Sequence, residues 1–115
     1  MNEWFEAEQR VERAQQLSEL HRFAEALAEL DVALSIQPDN AVWHAQRGYL
    51  LEELGETEDA VTAYERSLAL EPGERDVASA LGIALLRVGR YARSIEIFDQ
   101  VAKLFPDFEG AYCPR

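Results

Sequence analysis

Few side chains in this sequence could do chemistry. His21 and His44 are the two imidazoles and Cys113 is the one thiol. Acid–base catalysis near neutral pH uses a histidine or a tuned carboxylate beside the reacting bond, and nucleophilic catalysis needs a base within reach of a Ser, Thr or Cys. His21 falls between two amphipathic runs, where a solvated turn residue is expected. His44 falls inside a run at a packing position, so a part-buried histidine is the simpler reading than a ligand or base. No Ser-His-acid or Cys-His arrangement can be assembled from these residues. The acidic group Glu52, Glu53, Glu56, Glu58 and Asp59 lacks the ligand spacing and central glycine of a calcium loop, and reads as a solvated turn. There is no glycine-rich phosphate loop, and a single cysteine excludes an internal disulfide. The expectation is a chain that is not an enzyme and has no catalytic, cofactor or metal site, so its function is to be sought in binding surfaces.

Those surfaces depend on the elements that hold them. Residues 41–72 read AVWHAQRGYLLEELGETEDAVTAYERSLALEP. One amphipathic run closes at Gly55, and a second starts near Thr57 and stops at Pro72: a helix, a tight turn and a second helix. Pro38, Pro72 and Pro106 lie 34 residues apart, and a fixed period of that size marks a repeat architecture. Gly48 and Gly82 keep the step, with Ala14 in the first copy. Gly55 and Gly89 keep it too, with His21 in the first copy, and so do Ala26, Ala60 and Ser94, and Leu30, Tyr64 and Phe98. Gly48 and Gly82 suit a close crossing of two helices. Gly55 and Gly89 suit a left-handed helix cap, and the prolines end each second helix. Asn40 and Asp107 suit N-caps of the helices that follow.

These landmarks make the chain resemble the tetratricopeptide repeat family, whose pattern runs W-x2-L-G-x2-Y, A-x3-F, P. Leu81-Gly82 carries the L-G pair, and Ala26 to Leu30, Ala60 to Tyr64 and Ser94 to Phe98 carry the small-to-bulky pair. Arg10, His44 and Ala78 stand where the family has Trp. The resemblance implies an all-α solenoid of three helix-turn-helix repeats in a right-handed superhelix. The repeats are residues 7–40, 41–74 and 75–108, with 109–115 the truncated start of a further helix. The expected helices are 3–20, 23–36, 41–54, 57–70, 75–88 and 91–105. No run alternates as a strand would.

The family also implies a concave groove, lined by the first helix of each repeat, that holds a peptide or partner helix. Phasing to the family places Glu8, Val11, Glu12, Gln15 and Glu19 there from the first repeat. The second contributes Val42, Ala45, Gln46, Tyr49, Glu52 and Glu53. The third contributes Asp76, Ser79, Ala80, Ile83, Leu86 and Arg87. One subclass grips acidic chaperone tails with cations here, but the matching places hold Val11, Gln15, Gln46, Asp76 and Ala80. A groove of Tyr49, Ile83 and Leu86 among carboxylates instead suggests partners with apolar anchors and basic flanks.

The chain has 115 residues and a net charge of −11. The charge is uneven: −6 over residues 1–40, −5 over 41–72 and zero over 73–115. Such acidity repels phosphate, so neither nucleic acid nor an anionic membrane is an expected partner. No apolar run approaches the roughly 18 residues of a membrane span and no signal peptide opens the chain, so a cytoplasmic setting is expected. Gln9 and Gln16 occupy the face that would meet a preceding repeat, which predicts a true N-terminal end, with Trp4 and Phe5 free to fold over it. The opposite end looks open. Ile95, Phe98, Ala102 and Phe105 form one stripe on the sixth helix, beside Ile97, Val101 and Leu104, with Phe108 and Tyr112 beyond. One stripe can pack internally. The other is expected to meet a further repeat or a second copy of the chain as a homodimer. A structural unit that assembles end to end is therefore the alternative to a peptide-binding module.

Overall fold

The computed structural model describes residues 3–104. They form six helices and, among the described residues, no strand: α1 (Glu3–Glu19), α2 (Phe23–Ile36), α3 (Ala41–Glu53), α4 (Thr57–Leu70), α5 (Arg75–Arg87) and α6 (Tyr91–Leu104). Each helix packs on its chain neighbour, and the molecule is elongated, 53 × 27 × 21 Å. This is an all-α solenoid of helical hairpins. The expected N-cap at Asp107 and the expected seventh helix lie outside the described residues.

The turn within each hairpin is built identically. The residue after the cap takes positive φ: His21 at 63°, Gly55 at 82° and Gly89 at 83°. The next residue then donates back to the last helical turn: Arg22 N to Leu17 O at 2.9 Å, Glu56 N to Leu51 O at 2.8 Å and Arg90 N to Leu85 O at 2.9 Å. This closure satisfies carbonyls the helix end leaves open. Between hairpins, Asn40 Oδ1 accepts from Trp43 N at 3.1 Å and caps α3.

Helices within a hairpin cross closely where the small residues stand. A Cβ on Gly48 would lie 2.6 Å from the Tyr64 ring, and one on Gly82 would lie 2.6 Å from the Phe98 ring. In the first hairpin Ala14 faces the smaller Leu30. Two buried serines tie backbone across packed helices: Ser67 Oγ donates to Ala41 O at 2.8 Å and Ser94 Oγ to Gly82 O at 2.9 Å. Apolar burial continues between hairpins. Trp43 and Leu50 of α3 complete a core with Ala7, Ala14 and Leu30, and Leu27 packs against both this core and the next one around Tyr64 and Leu85. Repeats bury surface only against their neighbours, as a quasi-one-dimensional array must.

Two expectations require correction. Trp4 and Phe5 do not cover the first repeat; they stand 60% and 54% exposed, with Phe5 at the wall of a cleft it shares with Val11 and Trp43. Phe98 does not belong to an open stripe on α6. Its ring fills the space that Gly82 leaves, while Ser94, Ile97 and Val101 are buried beside it. Of the supposed open face, Ile95 is 61% exposed, Ala102 is half-buried, and Phe105, Phe108 and Tyr112 lie outside the described residues.

Candidate peptide-binding groove

The expected groove residues lie on α1, α3 and α5; Gln15, Glu19, Gln46 and Tyr49 line one cleft, and Glu52 pairs with Arg87. Glu8, Glu12, Gln15 and Glu19 lie exposed along α1 at spacings of three and four. Val42, Tyr49, Ile83 and Leu86 are exposed apolar side chains on α3 and α5. Ala45, Gln46, Ser79 and Ala80 are half-buried between them, and Glu53, Asp76 and Arg87 are exposed. Val11 is the correction here. It is 7% exposed and packs in the core with Ala7, Ala14 and Trp43, so it supports the groove from beneath and shows a ligand only an edge, at the base of the cleft beside Phe5 and Trp43.

A cleft of about 300 Å³ opens between α1 and α3, lined by Ala14, Gln15, Ser18, Glu19, Leu30, Gln46, Tyr49 and Leu50. Its floor is apolar, from Ala14, Leu30 and Leu50. Leu30 stands where the later repeats carry the rings of Tyr64 and Phe98, so the first crossing is the one a ring does not fill. A second cleft beside it, of about 310 Å³, is lined by Phe5, Glu8, Val11, Glu12 and Trp43.

The electrostatics differ from a uniformly acidic rim. Glu52 is drawn inward, with 15% of its side chain exposed. It accepts a hydrogen bond from the Tyr64 hydroxyl at 3.0 Å, and Arg87 Nη1 lies 3.6 Å from its second oxygen. Burial, and then the Glu52 charge, push the Tyr64 phenol well above its ordinary value. The link joins α3, α4 and α5 across the second and third repeats. On α1 and α2, Glu29 holds Arg10 at 2.8 Å and Arg13 at 3.6 Å, and the Arg10 hydrogen bond keeps the Glu29 carboxyl below its usual range despite some burial. Sequence reasoning placed Glu52 among exposed carboxylates and did not pair it. The available signal was Tyr64, the one member of the Leu30–Tyr64–Phe98 series with a hydroxyl that needs a partner when buried.

Neither histidine is set up for chemistry. His21 occupies the turn, with its ring 5.4 Å from that of Phe23. His44 Nε2 lies 2.7 Å from the Pro38 carbonyl oxygen. Among the described residues no group of His, Cys, Asp and Glu side chains could hold a metal ion, and no helix is long and apolar enough to cross a membrane.

Residues 45–108 match the tetratricopeptide repeat family profile. The chain belongs to the tetratricopeptide repeat family. It is 37% identical over 79 residues to the Protein SGT1 homolog of Bos taurus, an alignment covering 69% of this chain and 23% of the relative. It is 32% identical over 72 residues to the Hsp70-Hsp90 organizing protein of Triticum aestivum, covering 63% of this chain and 12% of that protein. The chain therefore spans less than a quarter of either relative. Among solved structures it superposes on the first tetratricopeptide domain of Spaghetti (RPAP3) bound to the HSP90 peptide SRMEEVD, with a TM-score of 0.83 at 18% identity, covering 92% of this chain and 84% of that one. MamA gives a TM-score of 0.86 at 20% identity, over 92% of this chain and 62% of that chain. This tetratricopeptide array is a protein-interaction module.

Proposed function

We propose that this tetratricopeptide module holds an extended or helical segment in the α1–α3–α5 groove, anchored by an apolar side chain beside Tyr49 and selected by Lys or Arg flanks. The observation that carries the reading is the cleft between Leu30 and Tyr49, apolar at its floor and bordered by Glu19, with Glu12 further along α1. No bond is made or broken in this role. The tetratricopeptide domain of Spaghetti binds an acidic HSP90 peptide. The places that would need cations for such a tail hold Val11, Gln15, Gln46, Asp76 and Ala80 here. The opposite charge preference is therefore expected. Fluorescence polarisation with paired peptides tests it: one with Leu flanked by Lys and Arg, one ending in acidic residues. The basic peptide should bind more tightly and lose affinity as salt rises, because rim charges act through a screened field. Tyr49→Ala should weaken it at least tenfold, as expected for a central aromatic anchor. Tighter binding of the acidic peptide, or no effect of Tyr49→Ala, refutes the reading.

One observation favours a second role. Ile95 is 61% exposed, whereas Val61, one repeat earlier, is 1% exposed under the third repeat. We infer that the α6 face around Ile95 meets another apolar surface, a further repeat or a second copy of the chain, with a second copy the simplest closed arrangement. Light scattering should then show a dimer at tens of micromolar that Ile95→Glu returns to monomer. A monomer at every concentration removes this role and leaves the groove reading intact.

A further inference from the structure

The repeats also differ on the side of α3 and α5 turned away from the groove. Between the first and second repeats, two α3 side chains reach back to the preceding repeat. His44 reaches the Pro38 carbonyl at 2.7 Å, and Arg47 Nε donates to Asp31 at 2.8 Å. One repeat later the corresponding residues are Ala78 and Leu81, with Pro72 and Glu65 in place of Pro38 and Asp31. Neither cross-link can form there. The result is a cleft of about 400 Å³ between α4 and α6, with Leu81, Ile97 and Val101 at its base and Leu68, Ala78 and Pro72 around it. It is ample for a ring, since roughly 150 Å³ holds a benzene.

We propose that this cleft is a docking site for a tryptophan side chain carried on a basic segment of a partner protein. The first interface shows what fits: the ring of the α3 residue His44, its Nε2 2.7 Å from the Pro38 carbonyl oxygen. The second interface has Pro72 at the corresponding place, with an open cleft and an apolar base where that ring is missing. An indole matches that combination, with an apolar body and one N–H donor at its edge. The segment is basic because the mouth carries Glu65 and Glu74. Among the described residues lining it the cation is Arg93, which already sits 3.7 Å from Glu65 and 3.5 Å from Glu96, while Glu74 makes no side-chain bond to the α5 N-terminus it precedes.

The test is a titration of the isotope-labelled chain followed by amide NMR, with three probes. N-acetyl-tryptophanamide should shift the amides of Ala78, Leu81 and Ile97 and leave that of Tyr49 unmoved. N-acetyl-phenylalaninamide, with a ring but no N–H, should bind about fivefold more weakly. Acetyl-Lys-Trp-Lys-amide should bind several-fold more tightly than the single residue, and lose that advantage in high salt. Ala78→Trp should fill the cleft, abolish the shifts and raise Tm by about 3 to 8 °C. Ala69→Arg, on the exposed wall, should crowd the cleft and repel the Lys-flanked probe, weakening the shifts without a change in Tm, and covers the case in which Ala78→Trp fails to fold. No shift at these amides, equal affinity for the two rings, or shifts that persist in Ala69→Arg would overturn the proposal. Concentration-dependent shifts at the same amides without any probe, removed by Trp4→Ala, would overturn it in favour of a second copy as the occupant. Tyr49→Ala should leave all three titrations unchanged, so the result is independent of the groove.

Discussion

Gly48→Ala is the substitution whose cost the structure specifies most directly. A Cβ built on Gly48 lies 2.6, 2.8 and 2.9 Å from three carbons of the Tyr64 ring, inside any tolerable contact. The ring has little room to retreat: Tyr64 is 4% exposed and its hydroxyl is held on Glu52 at 3.0 Å. Overpacking of this kind costs about 1 to 3 kcal/mol. Alanine returns about 1 kcal/mol through helix propensity. With a neighbour that cannot yield, the clash should sit at the upper end, for a net loss of about 2 kcal/mol. At about 4 to 6 °C per kcal/mol for a domain of this size, Tm should fall by roughly 8 to 12 °C. Gly82→Ala meets the Phe98 ring at the same 2.6 Å, but that ring is half-buried and has no hydroxyl tether, so it can swing and the loss should stay below about 1 kcal/mol. The first repeat indicates the rescue, since Ala14 there faces Leu30. Tyr64→Leu should cost less in the Gly48→Ala background than alone, with a coupling of at least about 1 kcal/mol. Thermal melts and urea titrations of the four proteins of the cycle measure all of this. A Gly48→Ala protein as stable as the parent, or a cycle with no coupling, would show that the crossing is not limited by the ring.

Three further perturbations follow from the same contacts. Arg10 holds the Glu29 carboxyl below its usual range, so the unfolded chain takes up that proton first; stability should fall as pH drops below about 4.3, and Glu29→Gln should flatten that part of an acid-unfolding curve. Burial holds the Tyr64 phenol above its ordinary value, so its contribution is intact below about pH 10 and declines above it; Tyr64→Phe should remove that alkaline loss, while costing about 1 kcal/mol at neutral pH because Glu52 loses a donor. His21 holds φ at 63°, where a side chain is disfavoured by roughly 1 to 2 kcal/mol, so His21→Gly should raise Tm by a few degrees, and no gain would mean that its contact with Phe23 offsets the strain.

The hairpins were legible because their determinants are local. A left-handed cap needs a residue that tolerates positive φ at one position, and Gly55 and Gly89 announce it; the period then assigns His21 the same duty without glycine. The crossings were legible because a missing Cβ has few other uses inside an amphipathic helix. The α6 stripe was misjudged for a related reason. Periodicity shows that Ile95, Phe98 and Ala102 share a side, but which of them the partner helix reaches depends on the hole at Gly82, and that hole captures Phe98 while Ile95 stays out. Val11 was misplaced similarly: it lies at the edge of the α1 groove face, and Trp43, arriving from the next repeat, covers it.

Glu52 was the harder case, because its environment is assembled from three helices. Nothing within residues 41–53 distinguishes it from Glu53, yet Tyr64 of α4 and Arg87 of α5 draw it in and offset its charge. This changes where the groove's field originates. The exposed carboxylates that remain are Glu8, Glu12 and Glu19 on α1, with Glu53 and Asp76 toward the far rim. Arg87, at the third repeat, partly cancels the acids near it, whereas on α1 the nearby cations Arg10 and Arg13 are turned toward Glu29. The negative potential is therefore concentrated along α1, beside the Leu30–Tyr49 cleft, and fades toward Ile83 and Leu86. On the proposed reading a segment in the groove would lie with its cationic flank over α1 and its apolar residues running toward α5, so charge would set its direction as well as its sign.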